Sequence, residues 1–266
     1  MKPVRVAIAG CCGRMGRALV RLAASDAALR VTDAITGAKD PQLGRDAGAV
    51  AGIGDIGVPI RTESSTECDV LVEFTNPASC RAWAAWCRAN GVALVSGTTG
   101  LTDVEHEAIR DAAQRVPVVW GPNMSVGVNL LLSLVRQAAQ RLGHDWDCEI
   151  VEAHHRHKAD APSGTARALL NAVCAGRGDD PAQVAIYGRE GVGGGRMAGQ
   201  IGVHAVRMGE IVGDHDVAFG SPAEVLTLRH RALSRDTFAA GALRAAKWLV
   251  GRSQGLYTMQ DVLSVA

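Results

Sequence analysis

The sequence has few lysines, almost no net charge and no long apolar run. Only Lys2, Lys39, Lys158 and Lys247 occur among its 266 residues, and the formal net charge is +1. That balance provides no field for nucleic acid or a membrane surface, so we expect neither partner. No apolar stretch reaches the roughly 18 to 20 residues of a membrane helix. The 47% apolar and 21% charged content instead indicates a packed globule of one large or two modest domains.

The cysteines do not form a disulfide pattern. There are seven, an odd number, with Cys11 and Cys12 adjacent and the others scattered through apolar segments. Buried thiols in a reducing compartment explain this distribution better than disulfides do. Met1-Lys2-Pro3 leads directly into a strand pattern, so we expect no signal peptide. These features predict a cytoplasmic protein.

Three glycines follow the first predicted strand, Val4 to Ala9, and a helical stretch comes after them. Their spacing, G-x-x-G-x-x-G, is one residue off the dinucleotide fingerprint G-x-G-x-x-G, but it has the strand–turn–helix context that the fingerprint requires. We expect Gly10 to allow the tight turn, Gly13 the approach of a pyrophosphate and Gly16 the contact between helix and strand. Arg14 adds a positive charge near the phosphates.

The end of the second predicted strand, Leu29 to Ile35, bears on the choice between NADH and NADPH. NAD-selective sites usually place Asp or Glu there to hold the ribose 2′-hydroxyl. Here residues 36–39 read T-G-A-K, which lacks a carboxylate and favours tolerance of the 2′-phosphate of NADPH. Asp33 and Asp40 flank the loop, so the predicted preference is moderate.

Strand and helix patterns alternate through the first half of the chain. After a predicted glycine-rich loop over residues 44–57, strands are predicted at 69–74, 93–96 and 118–120, and helices at 78–90, 102–115 and 125–142. This alternation predicts an α/β fold with a Rossmann-like, doubly wound parallel sheet. Gly97-Thr98-Thr99-Gly100 and Gly121-Pro122-Asn123-Met124 follow two of these strands, at the carboxyl ends where such sheets bind ligands.

The pattern changes in the second half. Strands are predicted at residues 148–153, 201–207, 210–220 and 224–231, the last three without helices between them. They indicate a second α+β domain with an open mixed or antiparallel sheet. A final helix over 236–250 is expected to return to the first domain. We therefore predict a dinucleotide-binding domain of residues 1–125 and 235–266, and a substrate-binding and oligomerisation domain of residues 126–234.

The densest group of reactive side chains lies in residues 152–166, E-A-H-H-R-H-K-A-D-A-P-S-G-T-A. Five consecutive residues can carry positive charge (His154, His155, Arg156, His157 and Lys158), and ionising all of them together is costly. Such a cluster calls for a bound anion or for perturbed titration. Both indicate a site suited to acid–base chemistry near neutral pH.

A helix start follows this cluster directly. Ser163 or Thr165 is a suitable N-cap, and the unpaired N–H groups of a first helical turn attract anions. Gly164 lets a ligand approach the backbone closely. The two features together predict a pocket for a small molecule with one or two carboxylates. A solvated basic face is one alternative. A zinc site is another, which the histidine spacing and the neighbouring cations disfavour.

Several motifs together resemble those of one enzyme family. They are V-A-I-A-G-x-x-G-R-M-G at residues 6–16, G-T-T-G at 97–100, N-M-S-V-G-V-N at 123–129, the stretch 152–166, and G-L-Y-T-M-Q-D-V-L at 255–263. The chain resembles the 4-hydroxy-tetrahydrodipicolinate reductase (dihydrodipicolinate reductase) family from end to end. That family acts in the diaminopimelate route of lysine biosynthesis.

The resemblance implies specific roles. His154 is implied as the acid–base histidine and Lys158 as the proton donor, while His155 and the amides of Gly164 and Thr165 are implied to hold substrate carboxylates. It implies that NADPH or NADH is bound by Gly10, Cys11, Cys12, Gly13, Arg14, Met15, Thr36, Gly97, Thr98, Thr99, Gly121, Pro122, Asn123 and Met124. It also implies a homotetramer assembled through the sheet of the second domain.

The sequence departs from the family pattern in two places. Thr36 and Gly37 stand where the family often has an acidic residue and then an arginine. Asn76 stands where the family's F-T-R-P-E-G-T has an arginine. Altered cofactor contact or turnover is the expected consequence.

The predicted function is therefore the NAD(P)H-dependent reduction of 4-hydroxy-tetrahydrodipicolinate to tetrahydrodipicolinate. One alternative is a related Rossmann dehydrogenase that acts on another amino-acid precursor. The other is a non-catalytic sensor of NAD(P)H and a metabolite.

Overall fold

A computed structural model describes residues 2–264 of the chain. These residues divide into two compact units: one holds the residues up to Val126 and from Arg235 onward, and the other is Gly127–Ser234. None of the helices in this described part combines the length and the hydrophobicity that a membrane span requires.

Strands and helices alternate in the first unit and segregate in the second. The strands are β1 (Val4–Ala9), β2 (Leu29–Ile35), β3 (Ile60–Arg61), β4 (Val70–Glu73), β5 (Ala93–Ser96), β6 (Pro117–Trp120), β7 (Asp147–His154), β8 (Ala185–Tyr187), β9 (Ile201–Arg207), β10 (Gly213–Gly220), β11 (Val225–Ala232) and β12 (Gly255–Tyr257). The α-helices are α1 (Arg14–Ser25), α2 (Ala47–Ala51), α3 (Pro77–Asn90), α4 (Asp103–Ala113), α5 (Val126–Leu142), α6 (Gly164–Arg177), α7 (Pro181–Val184), α8 (Asp236–Leu249) and α9 (Met259–Leu263).

Seven of the described strands form the sheet of the first unit, in the order β12-β6-β5-β4-β1-β2-β3. All of its pairings are parallel. The chain leaves β1 for β2 and β3 on one side and returns to β4 on the other, so the strand order reverses beside β1. The predicted Rossmann-like, doubly wound sheet is confirmed. Ligands of such sheets bind near this reversal, at the carboxyl ends of the strands.

Apolar side chains cover both faces of this sheet. Val6 and Ile8 of β1 pack in one cluster with α1 and α8, whereas Ala7 and Ala9 pack in another with α3 and α4. Successive residues of a strand point to opposite faces, so a strand that is covered on both sides must be apolar nearly throughout. This requirement explains the apolar runs at residues 6–9 of β1, 70–72 of β4 and 93–95 of β5.

Five of the described strands form the sheet of the second unit, in the order β11-β10-β7-β9-β8. β10 runs antiparallel to β7 and β11, while β9 runs parallel to β7 and β8. The predicted mixed sheet is thus confirmed. Helices α5 and α6 cover one face, where Val135, Ile150 and Leu169 share a cluster. The register sets His215 opposite both Glu152 and His230.

The segment 44–57, predicted to be a loop, contains the short helix α2. Asp46 organises it, because its carboxylate accepts hydrogen bonds from the backbone N–H groups of Gly48, Ala49, Ile56 and Val58. An N-cap aspartate of this kind stabilises even a short helix. Strands β3, β8 and β12 are two or three residues long, too short to leave a periodic pattern in the sequence.

Candidate active site

Two glycines shape the turn between β1 and α1 for different reasons. Gly10 has a φ of +77°, a left-handed conformation that glycine adopts without strain. Gly16 is fixed by packing, since a Cβ built there would lie 2.0 Å from the carbonyl oxygen of Gly10. Helix α1 therefore approaches the turn as closely as backbone atoms allow.

The start of α1 fits a phosphate group. Gly13 is its N-cap and has no side chain to satisfy the N–H groups of the first turn, and residues 14–17 bring no carboxylate there. These N–H groups and the positive end of the helix dipole favour an anion. Of the other residues predicted at this turn, Arg14 is exposed, Cys12 and Met15 are half-buried, and Cys11 is buried.

The end of β2 carries a carboxylate from further along the chain. Thr36 Oγ1 donates to Asp40 Oδ2 at 2.7 Å, which places Asp40 beside the strand end. Hydrogen bonds from Thr36 and from the Gln42 amide hold the pKa of Asp40 below its usual value. Asp40, which flanks the loop in sequence, thus stands at the strand end, where a carboxylate suits the ribose of NADH and opposes the 2′-phosphate of NADPH.

A buried carboxylate joins the turns after β4 and β5. Glu73 has 0% of its surface exposed. It accepts hydrogen bonds from the hydroxyls of Ser96, of Thr98 at 2.6 Å and of Thr75 at 2.6 Å, and from the Thr75 N–H at 3.1 Å. Four neutral donors thus converge on one acceptor, which fixes the two turns relative to each other.

The turn Gly97 to Gly100 divides its side chains between the interior and the surface. A Cβ at Gly97 would lie 2.1 Å from Cε1 of Phe74, so the phenyl ring requires glycine there. Thr98 is 3% exposed, and its hydroxyl is committed to Glu73 and to the Thr75 N–H at 2.9 Å. Thr99 is exposed. The Thr98 side chain therefore serves the fold, and only its backbone remains for a ligand.

The third turn, after β6, is anchored by its last residue. Met124 is buried, and its carbonyl lies so close to α8 that a Cβ at Gly241 would be 1.7 Å away. Asn123 Oδ1 accepts from the Ser125 N–H at 2.9 Å, while Gly121 is buried and Pro122 exposed. The residues predicted to bind the cofactor thus follow β1, β2, β5 and β6, along one edge of the parallel sheet.

In the second unit, His154 ends β7 beside a buried carboxylate. His154 Nδ1 lies 2.6 Å from Oε2 of Glu152, whose surface is 0% exposed. Arg207 donates to both oxygens of Glu152, at 2.8 Å each, and the Ser163 N–H donates to Oε1 at 2.9 Å. The parallel register of β7 and β9, which pairs His154 with Arg207, brings these groups together.

Burial and charge shift the titration of this pair. Burial raises the pKa of Glu152, but the hydrogen bonds from Arg207, His154 and the Ser163 amide outweigh it and hold that pKa below the usual value. Burial lowers the pKa of His154; Glu152 opposes this shift, and the charges of Lys158 and Arg207 reinforce it. Glu152 is therefore ionised and His154 neutral near pH 7.

The predicted cationic cluster contains a compensating acid. Lys158 Nζ donates to Asp160 Oδ1 at 2.7 Å, and Glu152 is the counter-charge beside His154. His155 is half-buried, and Arg156 and His157 are exposed. The positive charges of this cluster are thus partly balanced within the fold by Glu152 and Asp160.

The start of α6 is open to a ligand. Ser163 is the N-cap, and its hydroxyl accepts from the Ala166 N–H at 3.1 Å. Gly164 is exposed, and a Cβ there would meet nothing within 4 Å in the described part of the chain. Because α6 spans 14 residues, its first turn offers N–H groups and a dipole to a carboxylate.

Both halves of the chain match family models of one enzyme. Residues 4–124 match the N-terminal domain of dihydrodipicolinate reductase, and residues 127–263 match its C-terminal domain. The chain belongs to the dihydrodipicolinate reductase family. Its similarity to relatives named 4-hydroxy-tetrahydrodipicolinate reductase is 49% identity over 265 residues for Thiobacillus denitrificans, covering 98% of this chain and 99% of the relative. For Nitrosomonas europaea it is 47% over 268 residues, covering 100% of both.

A solved structure of a dihydrodipicolinate reductase has the same fold as this chain. A dipicolinate-bound dihydrodipicolinate reductase from Paenisporosarcina sp. TG-14 aligns with a TM-score of 0.77 at 24% identity, covering 96% of this chain and 97% of that one. Family membership confirms the predicted oxidoreductase of lysine biosynthesis by the diaminopimelate route, with NADPH or NADH as its cofactor.

Sequence reasoning missed four groups of this reductase fold: the buried Glu73, Glu152 and His215, and the half-buried Arg207. Glu152 is adjacent to the predicted cluster, and a glutamate two residues before a candidate catalytic histidine on one strand points to the same face. That spacing is a usable signal. Arg207 and His215 have no local signal, because only the pairing of β7 with β9 and β10 brings them to His154.

Proposed function

We propose that this chain reduces 4-hydroxy-tetrahydrodipicolinate to tetrahydrodipicolinate with NADPH or NADH, and that His154 and Lys158 carry out the proton chemistry. The observation that supports it most strongly is the full-length similarity to reductases of that name. The charge of Lys158 helps to lower the pKa of His154. A neutral imidazole at this position agrees with acid–base chemistry in the second unit.

Substrate carboxylates are held by His155 and by the amides of Gly164 and Thr165. The open start of α6 supports this role. The dipicolinate bound to the Paenisporosarcina structure is a planar ring with two carboxylates, and helix N-terminal amides and cationic donors suit such a ligand.

The cofactor, when bound, supplies the hydride. Loss of water leaves the substrate with a conjugated ring, a hydride adds to one ring carbon, and a proton adds to its neighbour. The net change is the gain of one hydride and one proton and the loss of one water molecule. Lys158 delivers the proton, and His154 acts as the acid–base histidine. The surrounding cations stabilise the negative charge that develops on the ring.

The first unit holds the cofactor through residues 10–15, Thr36, 97–99 and 121–124. The contacts that require Gly10, Gly16 and Gly97 support this role. Asn76, where the family has an arginine, caps α3 by accepting from the Ser79 N–H at 3.0 Å. The asparagine therefore has a structural role at the start of α3.

The chain assembles as a homotetramer in the cytoplasm. The sheet face of the second unit that is turned away from α5 and α6 leaves Val151 40% and Val206 38% exposed, and such a face suits self-association. The cysteines are free, and Cys68, Cys80 and Cys87 are among the buried ones, as in a reducing compartment.

The deciding experiment follows nicotinamide absorbance with NADH and NADPH in parallel, using 4-hydroxy-tetrahydrodipicolinate made in situ. We expect turnover with that substrate. Binding of both ligands without oxidation of the cofactor would indicate a sensor. Turnover only with another substrate from a panel of amino-acid precursors would indicate a related dehydrogenase.

A further inference from the structure

We infer that Glu152 and Arg207 are positioning residues for this reaction: they fix His154 in one tautomer, with Nδ1 protonated and Nε2 as the proton acceptor. The inference rests on the proposed role of His154.

The hydrogen-bond donors around Glu152 require its carboxylate to be ionised. Its two oxygens receive four donors, from Arg207 twice, the Ser163 amide and His154 Nδ1. An ionised carboxylate has acceptor capacity for all four. Because this acceptor carries no proton, the proton between Glu152 and His154 resides on Nδ1.

Arg207 keeps that carboxylate ionised. Its guanidinium forms a bidentate pair with Glu152 and also donates to the backbone carbonyls of Asp160 at 2.5 Å and Lys158 at 3.3 Å. The same side chain therefore links Glu152 to the loop that carries Lys158. Bidentate arginine–carboxylate pairs are geometrically specific as well as strong.

The other ring nitrogen of His154, Nε2, faces Gly213 of β10, which has no side chain. A Cβ built at Gly213 would lie 3.1 Å from His154 Nε2, so glycine leaves Nε2 accessible. The ring of His215 packs edge-on against His154 at a centroid distance of 5.2 Å. The titratable and charged groups that act on His154 are thus Glu152 on β7, Lys158 in the following loop, Arg207 on β9 and His215 on β10.

Glutamine at position 152 is expected to reverse the tautomer. An amide NH₂ in place of Oε1 would face two donors, Arg207 and the Ser163 N–H, whereas in place of Oε2 it faces one arginine donor and His154 Nδ1. The second orientation is less unfavourable, and its NH₂ donates to Nδ1. His154 would then present an N–H at Nε2 instead of a lone pair.

The test measures the His154 tautomer by ¹⁵N NMR of histidine-labelled protein, alongside kcat and KM. In Glu152→Gln we expect protonation to move from Nδ1 to Nε2 and kcat to fall roughly 10²- to 10⁴-fold, with a small change in KM. The control is Glu107→Gln. Glu107 lies on α4 of the first unit in an exposed pair with Arg110 and has no proposed role in binding, catalysis or assembly, so both measurements should stay unchanged.

Retention of Nδ1–H in Glu152→Gln would overturn the inference. A reversed tautomer with normal kcat would instead overturn the catalytic role of His154 in the proposed function. If Glu152→Gln does not fold, Arg207→Gln provides a second test. Without its partner, buried Glu152 should take up a proton at higher pH, so the acid limb of the kcat profile should move upward. An unmoved limb would contradict the role of Arg207.

Discussion

Each unit of the molecule buries a carboxylate completely, but the two carboxylates have different partners. Glu73 in the first unit accepts only from hydroxyls and an amide. Glu152 in the second unit accepts from a guanidinium, an imidazole and an amide. Neutral donors fix the shape of neighbouring turns, whereas charged donors also set protonation states. Glu73 thus fixes the shape of two turns in the first unit, whereas Glu152 also acts on the protonation of His154 in the second.

The largest expected effect comes from removing Lys158, the proposed proton donor in the second unit. Lys158→Ala should lower kcat roughly 10²- to 10⁴-fold, the scale of a lost general acid, with cofactor affinity unchanged. Nicotinamide absorbance and cofactor titration measure the two quantities. Lys247→Ala, which removes an exposed ion pair with Asp26, is the control with normal turnover. Weaker cofactor binding with normal turnover in Lys158→Ala would reverse the assignment.

Acid should lower the unfolding free energy of the second unit, because this unit buries His215. Burial lowers the pKa of His215 to about 4, with smaller contributions from His154 and His230, and neither ring nitrogen has a hydrogen-bond partner within residues 2–264. An unfolded imidazole titrates near 6.5, so the unfolded state binds the proton first as pH falls. Stability present above pH 6.5 is therefore lost towards pH 4.

His215→Phe measures this loss. The phenyl ring preserves the contact with His154 but cannot bind a proton. Between pH 6.5 and 4 the wild type should lose roughly 3 kcal/mol more unfolding free energy than the variant, as measured by urea unfolding across that range. Parallel pH dependences for the two proteins would rule out His215 as the titrating group.

In the first unit, Glu73→Gln should weaken cofactor binding and stability without changing the chemistry. The amide removes one acceptor from a buried cluster of donors, at a cost of about 1–3 kcal/mol in unfolding free energy. The Kd for NADH should rise, while kcat at saturating cofactor stays near normal. Glu107→Gln, in an exposed pair with Arg110, should change stability by less than about 0.5 kcal/mol. A lower kcat with normal Kd would contradict the purely structural role assigned to Glu73.

The smallest expected effect concerns cofactor choice. Asp40→Asn removes the carboxylate at the end of β2 and should tighten NADPH binding roughly twofold to fivefold relative to NADH, as exposed charge interactions are weak. Fluorescence titration of both cofactors gives the ratio. Asp55→Asn, at an exposed position elsewhere in the first unit, should leave the ratio unchanged. An unchanged ratio in Asp40→Asn would show that Asp40 does not contact the ribose.

Local chemistry explains which features were predictable from sequence. The glycine turn, the strands of the first unit and the N-cap at Ser163 depend on residues that are adjacent in the chain, so their patterns could be recognised directly. The ion pair between Arg207 and Glu152 joins residues 55 positions apart. It forms only because the register of two strands brings the residues together. The position of Asp40 was also not predictable from sequence, although it is only four residues from Thr36. Its contact with the end of β2 depends on the conformation of the loop between them.

The close contacts at Gly16 and Gly97 differ in how evolution can relieve them. An added methyl at position 16 collides with main-chain atoms of Gly10 and Cys11, and no substitution elsewhere removes those atoms. At position 97 it collides with the Phe74 ring, which a smaller residue would clear. Position 16 therefore accepts only glycine in this fold, whereas a larger residue at position 97 would require both a smaller residue at position 74 and room beside the proposed cofactor.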